Sequence, residues 1–239
     1  MATKDDLKSA VDNFFSGTYD ITNGTVIPNI SDVAFGKEGK EIELAMLFID
    51  IRESTKIVDG FRRTTAARMY KSFLYGISQI ARMNNGQLRS FNGDGVLVVF
   101  IGERKCTNAT KAALQMSWFC KKILKPEVDS YMSKNRQLQD MDFNFGIGID
   151  VGKVLVVRGG IKGENNNDLV WVGNATNFAV KLSSINDASF NVYISEEVHR
   201  RAFNSSKFGG SPKRDMWEKR FWTERDDMVV YASGWTSSL

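Results

Sequence analysis

Residues 87–101, QLRSFNGDGVLVVFI, constrain the fold more than any other stretch of the chain. Two strand-like runs, QLRSF and VLVVFI, flank Asn92-Gly93-Asp94-Gly95. Asn-Gly between such runs marks a tight β-hairpin, because both residues tolerate positive φ. Two antiparallel strands must therefore lie side by side here, and the flanking segments decide which sheet they join. Upstream, residues 43–51, ELAMLFIDI, form a continuous apolar run of strand length. Residues 61–84 then carry apolar side chains at helical spacing, with Gly86 as a C-cap candidate. Downstream, residues 107–123 read as a helix, followed by a charged connecting segment and an alternating strand, DFNFGIGIDVG. The order β, α, β, β, α, β predicts an α+β fold with a ferredoxin-like core, an antiparallel sheet carrying its helices on one face. Further elements extend it: a strand pair at KVLVV and DLVWVG, a helix over 174–186, a strand at NVYIS and a last strand at DDMVVYA. Ahead of the core, residues 4–15 have an amphipathic helical pattern, and residues 17–41, rich in Gly, Asn and Asp around Pro28, read as loop. The predicted division is an N-terminal extension, 1–40, and one domain, 41–239.

With 239 residues and 42% hydrophobic content, the chain can bury one ordinary globular core. The start, MATKDDLKSAVDNFF, lacks the apolar stretch of a signal peptide, and no window approaches the roughly 20 apolar residues that span a bilayer. A soluble, cytoplasmic protein without a membrane partner is expected. Cys106 and Cys120 have neither zinc spacing nor histidine support, His199 being the only histidine, so they read as core thiols. The net charge of +4 arises from 32 basic residues interspersed with 28 acidic ones. Even the densest basic segment, SPKRDMWEKRFW, is broken by acids, so no nucleic-acid partner is predicted.

Each of two apolar runs is interrupted by one acid, Asp50 in LAMLFIDIREST and Asp94 in RSFNGDGVLVVF. A carboxylate out of water needs a partner or shifts its pKa until it neutralises. In the predicted topology the end of the first strand and the hairpin turn converge, which brings the two acids face to face. Such a pair repels unless it shares a proton or a cation, and Mg²⁺ takes oxygen ligands with help from substrate phosphates. A two-metal phosphoryl-transfer site is the resulting expectation.

Three segments, FIDIREST, FNGDG and VWVGNATNFAVKLS, resemble the motifs of class III nucleotide cyclases in order and spacing, over residues 43 to about 200. The resemblance implies the class III cyclase fold and a head-to-tail homodimer with catalytic sites built across its interface. Asp50, Asp94 and the backbone carbonyl of Ile51 would hold two Mg²⁺ or Mn²⁺ ions against the substrate triphosphate. The partner subunit's Asn177 would orient the ribose, and the partner subunit's Lys181 would neutralise charge developing on the phosphates. Lys181 departs from the family, which usually has Arg there with its two-pronged grip on oxyanions. Lys219 or Arg220 would reach the terminal phosphates.

Purine cyclases of this family read the base with a Lys or Glu four residues before the second metal Asp and a polar residue four before the GN Asn. Here those positions are Ser90 and Val170. Val170 cannot hydrogen-bond a purine amino group, and a site that leaves polar groups unpaired loses discrimination. Arg89, Phe91 and Trp171 stand beside these positions and can narrow the pocket. A cyclase without the purine code resembles the bacterial pyrimidine cyclases of Pycsar anti-phage systems, whose products, cyclic UMP or cyclic CMP, activate a separate effector protein. The resemblance favours UTP. CTP, ATP in an atypical pocket, and a non-catalytic nucleotide-binding module remain alternatives, and no GG(D/E)EF loop marks a diguanylate cyclase.

Overall fold

The computed structural model describes residues 2–134, 142–163 and 165–239. In chain order the elements are α1 (Lys4–Phe15), β1 (Asp20–Asn23), β2 (Glu38–Ile51), α2 (Ser54–Gly60), α3 (Arg63–Met83), β3 (Gln87–Asn92), β4 (Gly95–Phe100) and α4 (Lys105–Phe119). A π turn (Cys120–Leu124) leads from α4 into α5 (Lys125–Ser133), followed by β5 (Phe145–Gly160), β6 (Asn167–Val172) and α6 (Asn174–Ser183). The chain finishes with β7 (Val192–Ser195), α7 (Glu196–Arg201), β8 (Phe208–Gly209), β9 (Arg214–Asp215), β10 (Glu218–Trp222) and β11 (Met228–Ser233).

Two compact units result, and β2 and β5 run through both. The larger comprises Leu44–Gly152 and Ala175–Leu239. Its strands follow the order β10-β11-β7-β5-β2-β4-β3, so β2, α3, β3, β4, α4 and β5 form the predicted βαββαβ core. Alternation explains which side chains turn inward. Leu47 and Ile49 of β2, Val96, Val98 and Phe100 of β4, and Ile147 and Ile149 of β5 pack with Phe73, Ile77 and Ile80 of α3 and with Ala109, Ala113 and Met116 of α4. Phe73 is fully buried and meets Phe143 edge-on at 6.4 Å, a side chain whose burial contributes about 1.5–3 kcal/mol. Helices α3 and α4 of the core share one face of the sheet, as expected, and the added helix α6 lies on the opposite face, against the alternate β5 positions Gly146 and Gly148. The side chain missing at these glycines is what lets a helix backbone come so close.

The smaller unit comprises the residues up to Glu43 together with Lys153–Asn174. There β1 pairs in parallel with the start of β2, and β6 pairs antiparallel with the second half of β5, Val157 opposite Val170. Lys153 binds Glu41 at 2.7 Å, and the Arg158 guanidinium lies 4.2 Å over the Phe35 ring. Helix α1 opens on a capping box between Thr3 and Asp6 and has no buried residue.

Several segments differ from expectation. The run 17–41 contains β1, and the strands expected at 142–152 and 153–157 are one strand, because Gly152-Lys153 continues extended rather than turning. The helix expected over 174–186 ends at Ser183. EKRFW, the heart of the basic segment, is edge strand β10, and α2 and α7 are short additional helices. The charged connector is helical to Ser133, and its stretch 135–141 lies outside the described residues. Both cysteines are buried free thiols, and burial pushes the Cys120 thiol up. Among the described residues no helix is long and apolar enough to cross a membrane.

Candidate active site

The strand ladder itself puts the two acids together. In β2, Ala45, Leu47, Ile49 and Ile51 belong to the main core, so Phe48 and Asp50 point to the opposite face. The antiparallel register of β2 with β4, Ile49 opposite Val96, carries the hairpin turn to the end of β2. Gly93 makes that turn at φ +67°, and Gly95 passes so close to Phe48 that a Cβ there would sit 2.5 Å from the ring. Asp94 is thereby delivered to Asp50, within reach of a side-chain hydrogen bond. Burial, and then the Asp94 carboxylate, push Asp50 up to about 7, partly opposed by the N–H of Ile51 donating to it.

Asp50 Oδ1 and Asp94 Oδ2 are buried and have no hydrogen-bond partner. Two converging hard oxygen donors with unfilled lone pairs suit a divalent cation. No group of three or more His, Cys, Asp or Glu side chains able to hold a metal occurs among the described residues. The remaining coordination would therefore fall to backbone carbonyl, water and substrate phosphate, as Mg²⁺ commonly accepts.

Ser90 is half-buried on the same hairpin, and a β-bulge sets its direction. The β3–β4 register passes from Leu88 opposite Val98 to Ser90 opposite Leu97, leaving Arg89 as the extra residue. Leu97 pairs with Phe48, so Ser90 shares the face of Asp50. The Arg89 guanidinium donates to Gln87 Oε1. Phe91 is 59% exposed, too open to serve as core packing.

Asn177 and Lys181 stand on the exposed face of α6, whose opposite face buries Ala175, Ala179, Leu182 and Ser183. The carboxylate pair and the Asn/Lys pair both belong to the larger unit. On β10, Arg220 is paired with Glu218 at 2.9 Å and stacks 4.8 Å over Phe190, whereas the Lys219 ammonium lies 5.6 Å from the Phe221 ring. Val170 and Trp171 belong to β6 in the smaller unit, the first 46% exposed and the second buried.

Two residues near the carboxylates were not singled out from the sequence. Tyr70 of α3 is held up by burial and by the negative charge of Asp94 and Asp50, and its hydroxyl donates a long bond, 3.4 Å, to the Ser54 carbonyl. Arg52, directly after Ile51, donates to Asn186 Oδ1 at 2.8 Å and to the Ile185 carbonyl at 2.5 Å. Only its position in DIREST hinted at a role, and Tyr70 gave no sign beyond a polar tip in an apolar stripe.

No family model matches the chain. Over 236 residues, 98% of its length and 98% of the relative's, it is 33% identical to a uridylate cyclase of Xanthomonas perforans. The chain belongs to the uridylate cyclase family. A second uridylate cyclase, from Rhodovulum sp. (strain MB263), is 29% identical over 98% of this chain and 97% of its own. Among solved structures, the guanylyl cyclase Cya2 superposes with a TM-score of 0.65 at 18% identity, covering 83% of this chain and 95% of that one. The α+β architecture of this uridylate cyclase family member is thus the class III cyclase fold expected from its motifs.

Proposed function

We propose that the chain, through residues 41–239 with 1–40 as an extension, converts UTP to 3′,5′-cyclic UMP and pyrophosphate in a head-to-tail homodimer. The observation that carries this reading is the pair of orphaned oxygens on Asp50 and Asp94, in a chain a third identical to a uridylate cyclase along its length. Asp50, Asp94 and the carbonyl of Ile51 would hold two divalent ions, Mg²⁺ or Mn²⁺. When bound, such ions lower the pKa of the ribose 3′-hydroxyl and stabilise charge on the phosphates. A proton on Asp50 or a cation held by the two carboxylates would each relieve the repulsion between them.

The 3′-hydroxyl gives up its proton to solvent, its oxygen attacks the α-phosphorus in line to form a new P–O bond, and the bond to the pyrophosphate oxygen breaks, releasing pyrophosphate. The partner subunit's Asn177 fixes the ribose, and the partner subunit's Lys181 meets the charge developing on the phosphate, one helical turn along the same face. Lys219 or Arg220 holds the terminal phosphates. Ser90, with Arg89 and Phe91, meets the base, and Val170 is the second base-reading position implied by the resemblance. The product acts as a cytoplasmic second messenger for a separate effector in anti-phage defence.

Substrate choice tests the reading directly. With Mn²⁺ and equal amounts of the four ribonucleoside triphosphates, product masses should show cyclic UMP dominant, cyclic CMP second and both purine products scarce. Each purine contact left unpaired beside Ser90 and Val170 costs about 1–3 kcal/mol. Dominant cyclic AMP would refute the pyrimidine pocket, dominant cyclic CMP would reverse the choice of base, and no product from any triphosphate would point to a non-catalytic module.

Site sharing has its own test. Mixing Asp50→Ala with Lys181→Ala chains, each inactive alone, should restore activity, because one site of the heterodimer collects both lesions and the other none. Demonstrated subunit exchange without recovered turnover would refute the shared site.

A further inference from the structure

We propose that Arg52 is a positioning residue for the opposite active site from the one its neighbours Asp50 and Ile51 serve. The inference rests on the shared-site reading above. By sequence, Arg52 follows the metal-binding end of β2, where an arginine would be read as a grip on the substrate's phosphates in its own site. Its hydrogen bonds say otherwise. One terminal nitrogen donates to Asn186 Oδ1 at 2.8 Å and the other to the Ile185 carbonyl at 2.5 Å. Its backbone N–H donates to the Asn144 carbonyl at 2.9 Å, so β2 is fastened here to the entry of β5.

Ile185 and Asn186 follow directly on α6. The N–H groups of Ser184 and Ile185 donate to the carbonyls of Lys181 and Leu182, so the segment Arg52 holds is the closing turn beyond Lys181. The Ile185 carbonyl lies just past the helix end at Ser183, and an arginine fork that binds it and the next side chain ties down the segment leaving α6. Asp187 and Tyr193 lie close enough to influence the guanidinium electrostatically, and Nε sits against Gly146, where a Cβ would be 3.2 Å away. Gly146 is also where Ser183 of α6 rests on β5. Arg52 is therefore built into the mounting of α6.

In a head-to-tail dimer, α6 lends Asn177 and Lys181 to the site whose metals the other chain holds. An arginine adjacent to one metal site thus sets the helix that completes the other.

The complementing heterodimer separates these roles. Its intact site takes Asp50 and Asp94 from the Lys181→Ala chain and α6 from the Asp50→Ala chain. Arg52→Ala added to the Asp50→Ala chain should lower kcat about 10-fold or more, since a misplacement near 1 Å costs that much or more, with a smaller change in KM for UTP. The same change on the Lys181→Ala chain should leave turnover within about twofold. Asn186→Ala, which removes the side-chain oxygen that Arg52 binds, should reproduce part of the loss with the same chain dependence. Arg52→Lys should fall between, because an ammonium cannot make the paired contact. Loss confined to the Lys181→Ala chain would overturn the proposal in favour of a direct phosphate contact. Equal loss in both placements would overturn it in favour of general destabilisation, and no loss in either would end it. Failure of the starting pair, before Arg52 is touched, would remove the shared site itself and this proposal with it.

Discussion

Replacing Asp50 or Asp94 with Ala should reduce cyclic nucleotide formation by about a thousandfold or more while the chain keeps its fold and its melting temperature. The activity term follows from the site: each acid supplies an oxygen that finds no partner within the protein, and loss of either leaves too few donors to hold cations against a triphosphate. The stability term follows from repulsion. Asp50 is raised to about 7 by burial and by Asp94, so the pair opposes folding in the cation-free protein. Truncating one member relieves that opposition, and a melting temperature equal to or above wild type is the expected result. A folded variant that turns over normally would exclude the carboxylates from catalysis. One that melts much lower would show the pair to be structural.

The second large effect concerns stability. A Cβ at residue 148 would lie 2.0 Å from the Ala179 carbonyl oxygen and 2.5 Å from the Ser183 nitrogen, both backbone atoms of α6. Neither can rotate away, so Gly148→Ala must lift the helix from β5. Overpacking of this kind costs about 3 kcal/mol, or about 6–12 °C of melting temperature in a chain this size. Turnover should fall as well, since α6 carries Asn177 and Lys181. Gly152→Ala is the matched control on the same strand: its Cβ would meet only Ala175 Cβ, at an ordinary 3.5 Å. Equal melting temperatures for the two variants would refute the close seating of α6.

How much of this was legible depended on how local the signal was. The hairpin, both acids and the βαββαβ order follow from period and turn chemistry within single segments. Edge strand β10 was hidden because the residues Glu218–Arg220, which suit an unpaired edge exposed to water, look the same as a solvated loop. Helix α7 had readable signals that were passed over: Ser195 caps it through the N–H of Val198, acids open it and basic residues close it. β5 was divided at Gly152-Lys153 because glycine followed by a charge imitates a turn. Among the proposed site residues, Asn177 and Lys181 were reached through resemblance, their exposure on α6 being no signal in itself. Arg52 and Tyr70 were missed because their partners lie 134 and 16 residues away along the chain, and no window of sequence displays such a meeting.

The bulge at Arg89 bears on how such a hairpin tolerates change in length. Leu88 packs toward the helices and Ser90 toward the carboxylates, as immediate neighbours on an unbroken strand would, with Arg89 looped out between them. Deleting residue 89 therefore restores a regular ladder and leaves every other β3 side chain on its present face. A further residue inserted on the Asp94 side of Ser90 would instead turn Ser90 into the core. The strand thus has one position where insertion or deletion leaves Ser90 facing the carboxylates and, immediately beside it, a stretch where the same event exchanges inside for outside. Length can change upstream of Ser90, at the bulge, without turning a side chain over, whereas from Ser90 to the turn only substitution keeps each side chain on its face.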